Sequence, residues 1–424
     1  MSRTNRISSR TLTATVIVLQ LCIFLCVSAD HINAQSALRK YVRDEKQAKA
    51  LVDRILVHSP IIDGHSDLFA WYFGCAYKRL PKCPQDIVDY PLDTITKGQT
   101  DIPRWRKGGV GGVELNLGAD SLSRAEAEYE LLHRLEKAYA KDLKIVTTSS
   151  QMRNAISDGK IALLPMMEGT DGLGGKVSAL KPFYDLGLRC MTFAYKTNGF
   201  ADGSDDEPKH NGISAIGKEL VAEMNRLGVI VDMSHISAKA MNDILDVTKA
   251  PVIFSHSNAR KLSDINRNVP DDVLLRLKAN RGLIMIDMVA EHVSNAFAKW
   301  MTEGDTLYFK TRKQFPNDKK KLSTVMKDWE DNYPRPVVTV VEVADHFDHV
   351  KRLIGVDRIG ISGDYDGMDY PIKGLEDVSG FPHLLIELAR RGWSERDLRK
   401  ITGENYLRVF SEIEEKAAFL RKRS

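Results

Sequence analysis

What most constrains this chain is a rhythm. A short apolar run rich in Val and Ile is followed by a longer amphipathic stretch, again and again along its 424 residues. The runs lie near Ile61–Ile62, Val110–Leu117, Ile161–Met167, Arg189–Ala194, Val229–Met233, Pro251–Phe254, Leu283–Met288 and Arg358–Ile361. Several are too short for helices and are apolar at consecutive positions, the pattern of parallel strands buried on both faces. Between them, stretches such as Ala215–Leu227 and Ala238–Val247 carry apolar residues at helical spacing. Eight strands alternating with helices predict an α/β fold, a (β/α)8 TIM-type barrel. The stretch Glu395–Arg421 reads as helices that close it. Residues 292–336 break the rhythm with many charges, including Lys319–Lys321, and with Pro316, Pro334 and Pro336; they read as a partly helical, solvent-facing excursion after the seventh run.

The N-terminus stands apart from this pattern. Arg3, Arg6 and Arg10 precede an apolar run from Val16 to Val27, which ends in Val27-Ser28-Ala29. That is the layout of a signal peptide over residues 1–29, and it leaves residues 30–424 as a single exported barrel domain, secreted or periplasmic, with no stable membrane span. The run is short for a bilayer-spanning helix. Cleavage removes three arginines and no acidic residue, so the formal net charge falls from +4 to +1. A chain so nearly neutral gives no electrostatic support for nucleic-acid binding. Export permits disulfides. Cys75 and Cys83 lie eight apart in a Pro-containing stretch, as a disulfide or as two free thiols, whereas Cys190 sits in an apolar run and reads as a buried free thiol. The C-terminus ends in Arg421-Lys422-Arg423-Ser424, without the hydrophobic tail of a lipid-anchor signal.

In a barrel of this kind the loops at the C-terminal ends of the strands converge on one face, and chemistry collects there. His65 and Asp67 end the first run, Glu168 the third, His235 the fifth and His256 the sixth, while Asp364 follows the eighth. Residues two apart on an extended segment point to the same side, so His65 and Asp67 can face one ion. Imidazoles and carboxylates suit zinc, and the two oxygens of Glu168 can bridge a pair of ions. Taken singly, each residue has an ordinary alternative as a surface or capping group, and Asp63 and Asp67 could organise a turn around Gly64. Three histidines and three carboxylates at strand ends of one face favour a metal site. His133, His346, His349 and His383 lie in helical or polar stretches and read as surface residues, and His210, in a Pro-containing loop, stays open. There is no G-x-S-x-G elbow, and Lys196 is not a credible nucleophile.

The segment Asp63-Gly64-His65-Ser66-Asp67-Leu68 resembles a signature of the membrane (renal) dipeptidase family. VDMSHIS around His235, PVIFSHS around His256, RNVPDD from Arg267, and GDYDG followed by GLEDVS from Gly363 are similar to it too. The likeness runs from about residue 55 to 412, and CPQDIVDYPLDT and GQTDIP look closer to bacterial members. The resemblance implies a barrel of the metal-dependent amidohydrolase kind holding two zinc ions. His65 and Asp67 would bind one ion, His235 and His256 the other, and Glu168 would bridge them. Asp364 would move the proton, and Arg267 would hold the substrate's terminal carboxylate with its planar fork. It further implies hydrolysis of small dipeptides by metal-activated water, acceptance of a D-residue at the C-terminal position, and a homodimer.

The chain departs from the family pattern in three places. Tyr195 stands where animal members carry a histidine that assists the carbonyl oxygen; its phenol can donate there. Glu114-Leu115-Asn116-Leu117 replaces the usual segment after the second strand, and Ser66 replaces an asparagine. Substrate choice is what these changes affect. Two other readings remain: an N-acyl-amino-acid amidohydrolase on the same site, and a non-catalytic binding protein.

Overall fold

In the computed structural model, which describes residues 41–73, 84, 86–118 and 120–423, nine strands form one all-parallel sheet. They are β1 (Ile61–Ser66), β2 (Val110–Asn116), β3 (Leu143–Ile145), β4 (Ile161–Glu168), β5 (Cys190–Thr192), β6 (Ile230–Asp232), β7 (Ile253–Phe254), β8 (Leu283–Ile286) and β9 (Ile359–Ile361). Their order is β2-β1-β9-β8-β7-β6-β5-β4-β3, and β2 also pairs with β4 from Gly112↔Ala162 to Asn116↔Met166. That pairing closes eight strands into a barrel, and β3 lies against β4 as a ninth, flanking strand. The eight barrel strands are those the apolar runs predict. The ninth was missed because its three residues include an exposed lysine, Lys144, and form no apolar run.

Side-chain parity separates an inner from an outer layer. Ala162, Leu164 and Met166 belong to one buried cluster with Cys190, Ile230, Leu283 and Met285. Ile161, Leu163 and Met167 belong to a second cluster shared with the surrounding helices. With a period of two, Glu168 takes the inner parity and emerges at the barrel mouth. Tyr406, Phe410 and Ile413 of the C-terminal helix Asn405–Arg421 join the inner cluster. Cys190 is a buried free thiol, pushed above its usual range by burial and by nearby Glu114 and Asp232.

The excursion after β8 is more helical than its charge suggests, with helices Asn295–Gln314 and Lys319–Asn332. The first buries Phe297, Ala298 and Trp300; the second buries no residue and touches it through Trp329, whose ring lies 5.0 Å from that of Trp300. His346 corrects the surface reading. It is fully buried, its Nδ1 accepting from the Ala259 amide (3.1 Å) and its Nε2 donating to the Val293 carbonyl (2.9 Å). His349 is also largely buried and bonds Asp271 at 2.8 Å. Residues 1–29, Cys75 and Cys83 lie outside the described residues. No helix among the described residues is long and apolar enough to cross a membrane.

Candidate metal centre

The motif around His65 is built on contacts that only its residues permit. Gly64 lies inside β1 rather than in a turn, and a Cβ there would stand 2.2 Å from the Ser255 carbonyl oxygen and 2.7 Å from Met285 Sδ. Asp63 is a buried clamp between strands: its Oδ1 accepts from the Gly363 amide (2.7 Å) and the His65 amide (3.3 Å). Burial pushes its carboxyl up to about 7. The β1–β2 register slips between Asp63 and Ser66, an irregularity of the sort that re-aims a strand end. Beyond it, the Asp364 amide donates to the His65 carbonyl and the Asp67 amide to the Tyr365 carbonyl, tying the loop after β9 to the end of β1. His235, Asp364 and Asp366 have φ of 66°, 53° and 70°. Left-handed backbone at non-glycine residues costs energy and tends to collect at functional sites.

The side chains so placed converge on Glu168. Its Oε1 lies 2.8 Å from His235 Nε2 and 3.2 Å from His256 Nε2, and those two nitrogens are 2.8 Å apart. Its Oε2 lies 4.0 Å from His65 Nε2, which is 3.5 Å from Asp67 Oδ2. Two groups of ligand-competent atoms result, His65–Asp67–Glu168 and Glu168–His235–His256, each within 4.8 Å and sharing the one carboxylate. Their hydrogen bonding fits a cation. Ser255 Oγ donates to Asp232 Oδ2 (2.6 Å) and so accepts from His256 Nδ1 (2.7 Å), which leaves Nε2 of His256 as a bare lone pair aimed into the site. Neither ring nitrogen of fully buried His65 has a hydrogen-bond partner. Burial, together with Arg267 and the other imidazoles, holds His235 and His256 well below the usual histidine range, so both are neutral. Burial pulls His65 down as well, but Asp67 and Glu168 more than reverse it, and it ends well above that range.

Asp364 faces this centre, with an oxygen in the same 4.8 Å neighbourhood as His65 and His256. Burial and the nearby Asp67, Asp287 and Glu168 carboxylates, opposed by His65, push its carboxyl up to about 7. Cations at the site would draw it back down. Arg267, predicted for the carboxylate, is buried; its Nη1 donates to Ser257 Oγ (2.6 Å) and its Nη2 to the His256 carbonyl (2.8 Å). Tyr195 is half-exposed, with its ring 4.6 Å from that of His235. Its phenol is raised by burial and by Glu168, Asp67 and Asp364, and it therefore stays protonated as a donor. Arg267, Tyr195 and His235 line a cleft of about 370 Å³. Every residue singled out from the sequence for metal, substrate or proton thus reaches one face of the barrel.

The family model for membrane dipeptidase, peptidase family M19, matches residues 49–424. The chain belongs to that family. It is a metallo-dipeptidase, and two curated relatives are named dipeptidases. Tcpj of Claviceps purpurea is 39% identical over 338 residues, covering 76% of this chain and 71% of its own. Aclj of Aspergillus oryzae is 32% identical over 393 residues, covering 88% and 82%. Among solved structures, the probable dipeptidase PvdM from Pseudomonas aeruginosa superposes with a TM-score of 0.73 at 22% identity, covering 88% of this chain and 99% of its own. A metallo peptidase from Rhodobacter sphaeroides, solved with a phosphinate mimic of the dipeptide L-Ala-D-Ala, gives 0.67 at 22% identity, covering 84% and 99%. At these identities the two structures speak for the shared barrel.

One residue at the centre of this dipeptidase had no role assigned from the sequence. Asn116 Nδ2 donates to Asp67 Oδ1 (2.7 Å) and to Glu168 Oε2 (3.2 Å), while its Oδ1 accepts from the Glu168 amide (3.2 Å). It fixes the two carboxylates relative to each other, as residues behind metal ligands do. Asn116 ends β2, so the strand-end rule that found Glu168 would have found it had amides been counted beside ionisable groups.

Proposed function

We propose that this metallo-dipeptidase holds two zinc ions and cleaves small dipeptides that carry a free C-terminal carboxylate. The observation that carries the reading is the sharing of Glu168 by two largely buried ligand groups, one of which includes His235 of the cleft lined by Arg267. His65 and Asp67 would hold one ion, His235 and His256 the other, and Glu168 both; imidazole and carboxylate donors at such spacing suit zinc. When bound, such an ion pair supplies Lewis acidity, polarising the scissile carbonyl and lowering the pKa of water. The chain does the rest. Arg267 fixes the terminal carboxylate, and its pinned guanidinium loses little freedom in doing so. Asp364 takes a proton from the attacking water and returns it to the departing amine, a role that asks for a carboxyl group able to change charge near neutral pH. The Tyr195 hydroxyl donates toward the carbonyl oxygen as negative charge develops there. Acceptance of a D-residue belongs to the same reading, supported by the L-Ala-D-Ala mimic bound to the Rhodobacter sphaeroides structure. Export is proposed from Arg3, Arg6, Arg10 and the run Val16–Val27.

The test is zinc content measured beside turnover of L,L dipeptides, L,D dipeptides and N-acyl amino acids. Two zinc per chain with dipeptides turned over faster than N-acyl amino acids is expected. Faster turnover of N-acyl amino acids would replace the substrate, and protein without stoichiometric metal that cleaves nothing would overturn the reading.

A further inference from the structure

Beside Arg267 a second buried basic group, His292, lines the cleft. Asp287 follows β8 directly and is fully buried; its Oδ1 accepts from Asn258 Nδ2 (2.9 Å) and the Val289 amide (3.1 Å). Its Oδ2 takes the Nδ1 proton of His292 at 2.8 Å. With Nδ1 engaged, Nε2 is the nitrogen left for a ligand. His292 lines the same cleft as Arg267, His235 and Tyr195, and one of its nitrogens lies within 4.8 Å of an Asp364 carboxylate oxygen. Burial pulls the imidazole down, but the charge and hydrogen bond of Asp287 more than offset it, and His292 ends above the usual histidine range. Burial raises Asp287, and His292 in turn brings it below its usual range. The Asp287 carboxylate thus favours a protonated imidazole, whose free N–H is a charge-assisted donor.

We propose that His292, oriented by Asp287, is a second anchor beside Arg267 for the terminal carboxylate of the substrate, and so a specificity residue of this chain. The distribution of charge in the cleft supports this. Its outer lining carries the exposed Asp205, Asp206 and Asp305 against one exposed cation, Lys196, a net negative rim that favours a substrate's ammonium end, whereas Arg267 and His292 are buried. A dipeptide is thus sorted end from end: carboxylate inward between two cationic donors, amine toward the acidic rim. Asp287 acts through His292 and is a positioning residue.

This inference rests on the dipeptide reading, and its test separates the two. On the zinc-loaded enzyme, calorimetry compares a phosphinate dipeptide mimic with the same mimic carrying a C-terminal carboxamide, for wild type, His292→Gln and Asp287→Asn. Because neither ligand is turned over, carboxylate preference is read even if no dipeptide is cleaved; turnover tests the reading, and the binding ratio tests the anchor. The wild type should prefer the carboxylate form, and His292→Gln should narrow that preference by about tenfold, as expected for one charge-assisted hydrogen bond. Asp287→Asn should narrow it less, since the imidazole remains. Thermal midpoints and zinc content establish that each variant is folded and loaded, and the two variants are read independently. If both ligands weaken equally, or the ratio stays at its wild-type value in the folded variants, His292 is a structural ion pair and the proposal falls.

Discussion

Glu168 Oε1, His235 Nε2 and His256 Nε2 lie within 3.2 Å of one another, and the bond from His256 Nδ1 to Ser255 Oγ leaves its Nε2 without a proton to give. Of these three atoms only His235 Nε2 can carry a proton for the others, so lone pairs remain in the knot that a cation would satisfy. Asp364 stands outside this knot, close enough to pass a proton and held by its own backbone bond to the His65 carbonyl. Asp364→Asn should therefore leave metal content at the wild-type level while kcat falls by about 10²–10⁴-fold, the usual range for loss of a general acid–base. Steady-state kinetics beside metal analysis checks it. A variant that turns over at the wild-type rate would remove Asp364 from the reaction, and one that loses metal would make it a ligand instead.

At the scale of the element, β1 is where sequence and site meet most tightly. Its His65 and its Asp63 clamp are both served by Gly64, which lets the Ser255 carbonyl and Met285 close against the strand. Gly64→Ala should cost about 3 kcal/mol by overpacking and weaken metal binding at the same time, read as a lower urea midpoint and a lower metal stoichiometry. Unchanged values in both would show that β1 has slack its contacts do not suggest. The eight barrel strands were legible because parallel strands buried on both faces spell out continuous Val and Ile, and strand-end polarity followed from that frame. β3 was not, since a three-residue flanking strand needs no apolar run. Asn116 and Asp287 obey the strand-end rule yet were given no place at the centre, the one an amide read only as part of an altered pocket segment and the other inside a segment read only for its hydrophobicity. His346 was misread because a helix bearing Asp345, Asp348 and His349 looks solvated in sequence, and which of its faces turns inward is set by packing.

That buried histidine has a consequence for the whole molecule. His346 spans the segments after β7 and β8, accepting from Ala259 and donating to Val293, and these are the segments that carry Arg267 and His292. Burial lowers its pKa from 6.5 to about 4, despite the Val293 carbonyl and the nearby Asp287 and Asp345, with His349 adding to the fall. Above pH 6.5 the imidazole is neutral folded and unfolded alike. As pH falls toward 4 the unfolded chain binds a proton that the folded chain refuses, so stability drops by about 1.4 kcal/mol per pH unit and by about 3 kcal/mol in all. Carboxyls raised by burial, Asp63 to about 7 and Glu114 to about 8, act in the opposite sense, because the folded chain binds their protons more tightly. The wild-type curve alone therefore hides the term, and a difference isolates it. His346→Gln can keep both hydrogen bonds and cannot titrate. The difference between its unfolding free energy in urea and the wild type's should shift by about 3 kcal/mol in the variant's favour as pH is lowered from 7 to 4. A difference constant over that range would mean that His346 takes up its proton in the folded protein, and that its two bonds do not hold it neutral between the loops that carry Arg267 and His292.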